Sequence, residues 1–142
     1  MKLFDTRVPP TAARLADFER TLPAALPDDY RAFLRVHNGG RPEPSGFAIP
    51  GLGDRSGIAR FLALDGAPWD DLEAHLRMYS GRIPRGWLPV AYDDCGNLLL
   101  MPLAGPARGR LFFWDHEAEG DGTAAPTWEV AESFARLLER LT

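Results

Sequence analysis

An uninterrupted apolar run in the second half of the chain, Leu98–Met101, constrains the fold more than any other segment. A strand that faces water on one side alternates apolar and polar residues, and this run lacks that alternation. The run follows the turn-like segment Asp93–Gly96, which itself follows the strand-like segment Trp87–Tyr92. A second Gly-containing turn then leads into Arg110–His116. We therefore predict an antiparallel meander over about 87–116, with a middle strand buried on both faces.

Apolar residues at helical spacing predict four helices around this meander. Capping residues and prolines set their expected bounds: after Thr11 to Pro23, from Pro27 to Asn38, from Trp69 to Tyr79, and over about Val130–Leu141. Carboxylates expected in the first turns of the second and third helices, where the helix dipole favours them, are Asp28, Asp29, Asp70, Asp71 and Glu73.

The remaining segments complete the expected architecture. Residues 41–57 are rich in Pro, Gly and Ser and predict a loop with one short strand, Phe47–Ile49, whereas Ile58–Leu64 is expected to be extended. The sequence therefore predicts an α+β fold. We expect a single domain over residues 1–142, with a mostly antiparallel central sheet flanked by N-terminal and C-terminal helices.

Composition and charge argue against several classes of function. The net charge of −4 and the pI of about 5.3 argue against a general nucleic-acid binder, which carries a basic face. The sequence contains no long apolar run, and no basic segment followed by an apolar one opens it. The single Cys95 excludes an intramolecular disulfide and is compatible with a reducing compartment. We expect a cytoplasmic protein with no nucleic-acid or membrane partner.

The triplet Asp115-His116-Glu117 is the most catalytic-looking segment. Along a strand, Asp115 and Glu117 would share one face while His116 would take the other, so the triplet alone cannot converge on one metal ion. A site would need a recruited ligand, for which the candidates are Asp93, Asp94, His37 and His75. No HExxH or paired CxxC motif is present. We predict turn and capping hydrogen bonds for the two carboxylates, and a metal-dependent hydrolase stays a remote alternative.

Other candidates for chemistry have simpler structural interpretations. Asp93 and Asp94 precede Gly96 and Asn97, a pattern typical of a turn. Cys95 lacks a recognisable activating base in the sequence. We therefore predict a protein that is not an enzyme, with no catalytic residue and no cofactor.

The tryptophans could pack in the core or anchor a partner. Aromatic rings bury large apolar areas, so the core is the default position, but tryptophan is also enriched at interface hot spots. The sequence alone does not assign either role to the members of this set, which are Trp69, Trp87, Trp114 and Trp128.

Two separated motifs occur in a fixed order. The first runs from Leu26-Pro27 through Tyr30 and Phe33-Leu34 to Asn38-Gly39-Gly40, and the second combines Asp94-Cys95-Gly96-Asn97 with Phe113-Trp114-Asp115-His116-Glu117. Together they resemble the SUKH superfamily, known mainly as bacterial immunity proteins against polymorphic toxins, with fungal cell-wall regulators as relatives. The resemblance implies an α+β domain that works by binding a protein. This chain departs from the family at Pro102, where a proline removes a ladder donor, so we expect a bulge or an edge there.

The resemblance favours a non-enzymatic immunity protein that binds and neutralises a cognate toxin domain, for which a nuclease is one candidate. Acidic residues that could meet a basic toxin are Asp93, Asp94, Asp115, Glu117, Glu119 and Asp121. The alternative is a regulatory or scaffolding domain of the same fold without a toxin partner.

Overall fold

A computed structural model of the chain describes residues 1–118 and 126–142. In chain order its elements are β1 (Lys2–Phe4), α1 (Ala12–Arg20), α2 (Asp28–Val36), β2 (Arg41–Glu43), β3 (Gly46–Ile49), β4 (Asp54–Gly57), β5 (Arg60–Phe61), α3 (Leu72–Met78), β6 (Trp87–Tyr92), β7 (Leu98–Pro102), β8 (Leu111–Trp114), β9 (Thr127–Ala131) and α4 (Phe134–Glu139). Strands β5 to β9 form one antiparallel sheet in that order, while β1–β2 and β3–β4 form separate pairs. The α+β prediction with a mostly antiparallel central sheet is confirmed.

Strand β7 is the middle strand of the five-stranded sheet and is buried along its whole length. Leu99 and Met101 pack into the larger core cluster, which α1, α2 and α4 cover. Leu98 and Leu100 face the other way and join a smaller cluster with Trp114. The prediction of a meander whose middle strand is covered on both faces is therefore confirmed.

The prolines of the meander lie where a missing backbone donor is tolerated. Pro102 is the last residue of β7, and the pairing of β7 with β8 extends only as far as Leu100, so the expected edge near Pro102 is present. The irregularity lies in the facing strand instead, where the register shifts between Pro89 and Ala91. The extra residue, Val90, accepts a hydrogen bond from the Leu62 amide at 2.9 Å, which helps to hold the segment after β5 against β6.

Helices α1 and α2 begin where the sequence predicts, after Thr11 and at Pro27. Thr11 caps α1 by accepting a hydrogen bond from the Arg14 amide at 3.0 Å. The expected extension of α1 to Pro23 is wrong, because the helix ends at Arg20, where Thr21 closes the last turn by donating both its amide and its hydroxyl to the Phe18 carbonyl. None of the helices in the described ranges is long and apolar enough to cross a membrane.

The third helix is shorter than expected, and one of its predicted carboxylates has a different role. It begins at Leu72 with Asp71 as its cap, so Trp69 lies outside it. Asp70 is fully buried and pairs with Arg7 at 2.9 Å and with Arg60 at 3.1 Å. A buried, charged carboxylate is costly unless positively charged partners compensate it. The two arginines that do so here, Arg7 and Arg60, come from different segments of the chain.

The expected C-terminal helix over Val130–Leu141 is also too long. Residues Thr127–Ala131 form β9, which pairs with β8, and the helix begins only after Ser133, whose hydroxyl accepts a hydrogen bond from the Arg136 amide. Pairing with β8 therefore determines the conformation of this segment more strongly than the helical spacing of its apolar residues does.

Residues 41–57 contain more strand than the sequence predicts. The expected strand at Phe47–Ile49 is present as part of β3, but β2 and β4 were not expected. Strand β2 pairs with β1, near residue 1, and β4 is a short polar strand that pairs with β3. Neither β2 nor β4 alternates apolar and polar residues, so the local sequence does not indicate a strand at either place.

The Asn38 side chain joins three segments of the chain. Its residue is fully buried with φ +54°, and its amide nitrogen donates to the carbonyl oxygens of Val8 at 2.8 Å and Leu64 at 3.0 Å. Its amide oxygen accepts from the Leu64 N–H at 2.9 Å. Gly39 follows with φ +83°, and a Cβ there would lie 2.8 Å from the Cβ of Ala63. The motif thus ends α2 and also docks the chain against residues 61–64.

Replacing Asn38 should strongly destabilise the fold. We expect Asn38→Ala to lower the free energy of unfolding by about 3 kcal/mol, because two buried carbonyls and one buried amide lose their partner. Asn38→Gly should lose the same hydrogen bonds but avoid the left-handed backbone strain, and so be less destabilising by roughly 1 kcal/mol. Urea denaturation of both variants measures the difference. Equal and small losses would show that the amide network contributes little.

Candidate protein-binding surface

Asp93 organises the turn between β6 and β7 from inside. Its side chain accepts hydrogen bonds from the amides of Cys95 at 2.9 Å and Asn97 at 2.8 Å, from the Asn97 side chain at 3.0 Å, and from the Ser56 hydroxyl at 2.9 Å. Asp93 is only 8% exposed. Both carboxylate oxygens therefore hold the turn and tie it to β4, which leaves little of this side chain for a partner.

The same turn fixes the segment after β8. The His116 ring donates through Nε2 to the Cys95 carbonyl oxygen at 2.7 Å, and its backbone amide donates to the Asn97 side-chain oxygen at 3.2 Å. Gly96 has φ +85°, and a Cβ there would lie 3.3 Å from His116 Nε2. The second sequence motif is thus a hydrogen-bonded junction between two loops.

The triplet after β8 does not continue the strand, contrary to the expectation of two alternating faces. Strand β8 ends at Trp114, and His116–Ala118 form a short 3₁₀ turn. Asp115 accepts a hydrogen bond from the Glu117 amide at 2.9 Å, which is the predicted turn hydrogen bond, and His116 is half-buried. Within residues 1–118 and 126–142, no group of three or more His, Cys, Asp and Glu side chains is arranged to hold a metal ion.

The predicted partner-binding acids occupy different environments. Asp94 and Glu117 are exposed and Asp115 is half-exposed, whereas Asp93 is buried. The contact of His116 with the Cys95 carbonyl brings the loops that carry Asp94, Asp115 and Glu117 together. We call these three residues the acidic edge. The other two predicted residues, Glu119 and Asp121, lie outside the described part of the chain.

A groove of about 280 Å³ lies beside the acidic edge, between α3 and the β6–β7 turn. The residues that line it are Pro68, Trp69, His75, Met78, Tyr79, Tyr92 and Gly96. Trp69 is 60% exposed and Met78 is 59% exposed, so two large apolar side chains form open walls of one cavity. We call this cavity the α3 groove.

Three stacked rings form one side of the α3 groove. His75 lies parallel to Tyr92 with 5.7 Å between ring centroids and nearly parallel to Tyr79 with 6.3 Å. The His75 ring is fixed because Nδ1 donates to the Asp71 carbonyl oxygen at 2.8 Å. Burial raises the pKa of the Tyr92 hydroxyl; nearby Arg60 lowers that pKa, and the charges of Asp70 and Asp94 raise it. One wall of the groove is therefore a fixed stack of rings, with charges of both signs nearby.

The sequence did not single out the α3 groove. Trp114 is fully buried, while Trp87 and Trp128 are partly buried, which leaves Trp69 as the exposed tryptophan of the set. Its position between Pro68 and the capping residue Asp71 was the available signal, because a residue before a helix cap need not follow the helix's buried stripe. The other groove residues come from separate elements and share no local pattern.

Comparison with known families agrees with the two motifs. A family model described as the SMI1 / KNR4 family (SUKH-1) matches residues 9–140. The chain belongs to this family. The SUKH-1 match spans Asn38, the β6–β7 turn, the acidic edge and the α3 groove. No curated protein matches the chain.

Substitutions at Asp93 and Asp94, two neighbouring acidic residues of this SUKH-1 domain, should distinguish a structural role from a surface role. We expect Asp93→Ala to lower the free energy of unfolding by about 2–3 kcal/mol, because a buried carboxylate with four donors is lost. Asp94→Ala, its matched control, should change stability by no more than about 0.5 kcal/mol, as exposed substitutions usually do. Urea denaturation monitored by tryptophan fluorescence tests both. Similar losses for the two variants would contradict the assignment.

Proposed function

We propose that this protein is an immunity protein that binds a cognate polymorphic-toxin domain and neutralises it. Membership of the SUKH-1 family over residues 9–140 is the observation that carries the proposal. The proposed mode is binding without catalysis: the protein covers the active site or an essential surface of the toxin. The toxin would be met in the cytoplasm, where the exposed Cys95 would stay reduced.

The acidic edge supports a basic partner surface. Asp94, Asp115 and Glu117 lie on two loops that hydrogen bonds hold together, and the chain carries a net charge of −4. Complementary charge accelerates encounter and sets orientation, and rim charges act mainly on the association rate. A nuclease would suit this surface, because its basic residues bind phosphates and the carboxylates would compete for them.

The network beneath the acidic edge also favours binding. Asp93 and Asn97 fix the turn from inside, so Asp94 is presented on a backbone that is already ordered. A preorganised loop loses less conformational entropy on association than a loop that must be ordered by its partner. The edge can therefore serve as a recognition surface without rearrangement of the scaffold.

Rescue of toxicity tests the proposed function directly. We expect co-expression of this protein to restore growth of cells that produce the toxic domain encoded beside its gene, and the two proteins to co-purify. The comparison is with an unrelated SUKH-1 protein, which should not rescue. Absence of both rescue and co-purification with any adjacent candidate would contradict the proposal and favour the regulatory or scaffolding alternative.

Charge reversal tests the role of the acidic edge. We expect Asp94→Lys with Glu117→Lys to slow association with the toxin domain by roughly three- to tenfold at low salt, because attraction becomes repulsion. Surface plasmon resonance at several salt concentrations gives the association rates. Glu132→Lys with Glu139→Lys is the matched control, because it changes the net charge by the same amount and both residues are exposed, just before and within α4. Equal rates for all variants would remove the acidic edge from the interface.

A further inference from the structure

Residues 5–10, which lie between β1 and α1, bury little apolar surface. Their side chains up to Pro9 are exposed or half-buried, and Val8 is 86% exposed. A surface cavity of about 430 Å³ is lined by residues 7–11 together with Arg14 and Asp65, so the segment is not closely packed there. We call residues 5–10 the strap. A segment with few buried apolar contacts opens at a lower free energy than the core does.

Polar contacts attach the backbone of the strap to the rest of the protein. Each joins it to α2, to the end of α2 or to β5. These hydrogen bonds run from Arg60 to the Asp5 carbonyl oxygen at 2.8 Å, from the Arg7 amide to the Asn38 carbonyl oxygen at 3.1 Å, from the Asn38 side chain to the Val8 carbonyl oxygen at 2.8 Å, and from Arg35 to the Pro10 carbonyl oxygen at 3.0 Å. Water can replace each partner when the strap lifts, so the net contribution of each bond is modest.

The Arg7 side chain makes the strongest attachment. It donates to both carboxylate oxygens of Asp70, at 2.9 and 3.2 Å, and its guanidinium lies 5.9 Å from the centroid of the Trp69 ring. The fully buried Asp70 also accepts hydrogen bonds from Arg60 at 3.1 Å and from the Ala67 amide at 2.7 Å. These two donors lie outside the strap. The carboxylate therefore stays compensated when Arg7 leaves, which makes an open form with an intact core accessible.

We propose that the strap is a latch that opens as a unit while the helices and the five-stranded sheet stay folded. In the closed form Arg7 covers the buried Asp70 and lies against the Trp69 ring. In the open form Arg7 is withdrawn, which uncovers the carboxylate and removes one positive charge from the surface before α3. This surface therefore has two states that differ in charge and shape. A molecule that binds the open state more tightly shifts the population toward it.

Amide hydrogen exchange measured by NMR tests the latch without any partner. We expect the Arg7 amide of the unaltered protein to be protected at least about a hundredfold less than the Leu62 amide, which donates to the Val90 carbonyl oxygen at 2.9 Å in the core. Urea below the unfolding transition should lower the protection of Leu62 steeply and that of Arg7 hardly at all, because opening of the strap exposes little surface. Equal protection or equal urea dependence of the two amides would mean that the strap separates only on global unfolding, which overturns the inference.

Two substitutions weaken the latch, and a third is the matched control. Arg7→Gln removes the charged pair with the buried carboxylate, and we expect the protection of the amide at position 7 to fall by about tenfold. Arg35→Gln removes one donor to the strap backbone and should reduce that protection by about threefold; its side chain is exposed, so this variant should fold. Arg110→Gln changes the net charge equally and removes the exposed ion pair with Glu129, but should leave the protection at position 7 unchanged. No fall in the first two variants, or an equal fall in the control, would overturn the latch.

Discussion

The hydrogen bonds of the buried Asn38 amide are the interaction on which the rest of the structure depends. One side chain connects the segment before α1, the end of α2 and the strand-like segment that leads to α3. Its positive φ turns the chain so that Gly39 and Gly40 approach Phe61, where Gly40 forms a bridge with that residue. An amide that both donates and accepts is required here, because the partners are two carbonyls and one N–H. The Asn38 side chain therefore connects the helices to the edge of the sheet.

A second polar junction lies at the turn between β6 and β7. Asp93, Asn97 and His116 join the β6–β7 turn to the segment after β8, and Ser56 links this junction to β4. In both motifs, polar side chains hold loops in place through hydrogen bonds, and most of the partner groups are backbone atoms. Such groups define how loops leave a scaffold and do not by themselves select a partner. The motifs identify the family, and under the proposed function the exposed residues around them would choose the partner.

The parts of the fold that the sequence predicted correctly are those whose signals are local. The meander follows from turn residues and from the apolar run Leu98–Met101, and the start of α1 follows from its cap. Strand β2 pairs with the start of the chain, and Asp70 pairs with Arg7, 63 positions away, and with Arg60, 10 positions away, so no local pattern revealed these contacts. The mistaken helix at Val130 has the same cause, because pairing with β8 overrides helical spacing. The α3 groove was missed because its walls come from separate elements.

Adjacent residues with opposite environments explain how this scaffold can be both rigid and adaptable. Asp93 and Asp94 differ by one position, yet the first stabilises the turn from inside and the second is exposed to solvent. Substitution of the second leaves the hydrogen bonds of the first in place, since Asp93 bonds to Cys95, Asn97 and Ser56 and not to its neighbour. The same separation holds at Trp69 and Asp70, where the aspartate is buried among arginines and the indole is open. Substitution of these surface residues should therefore cost little folding stability, because the residues that hold each loop are their neighbours in the sequence.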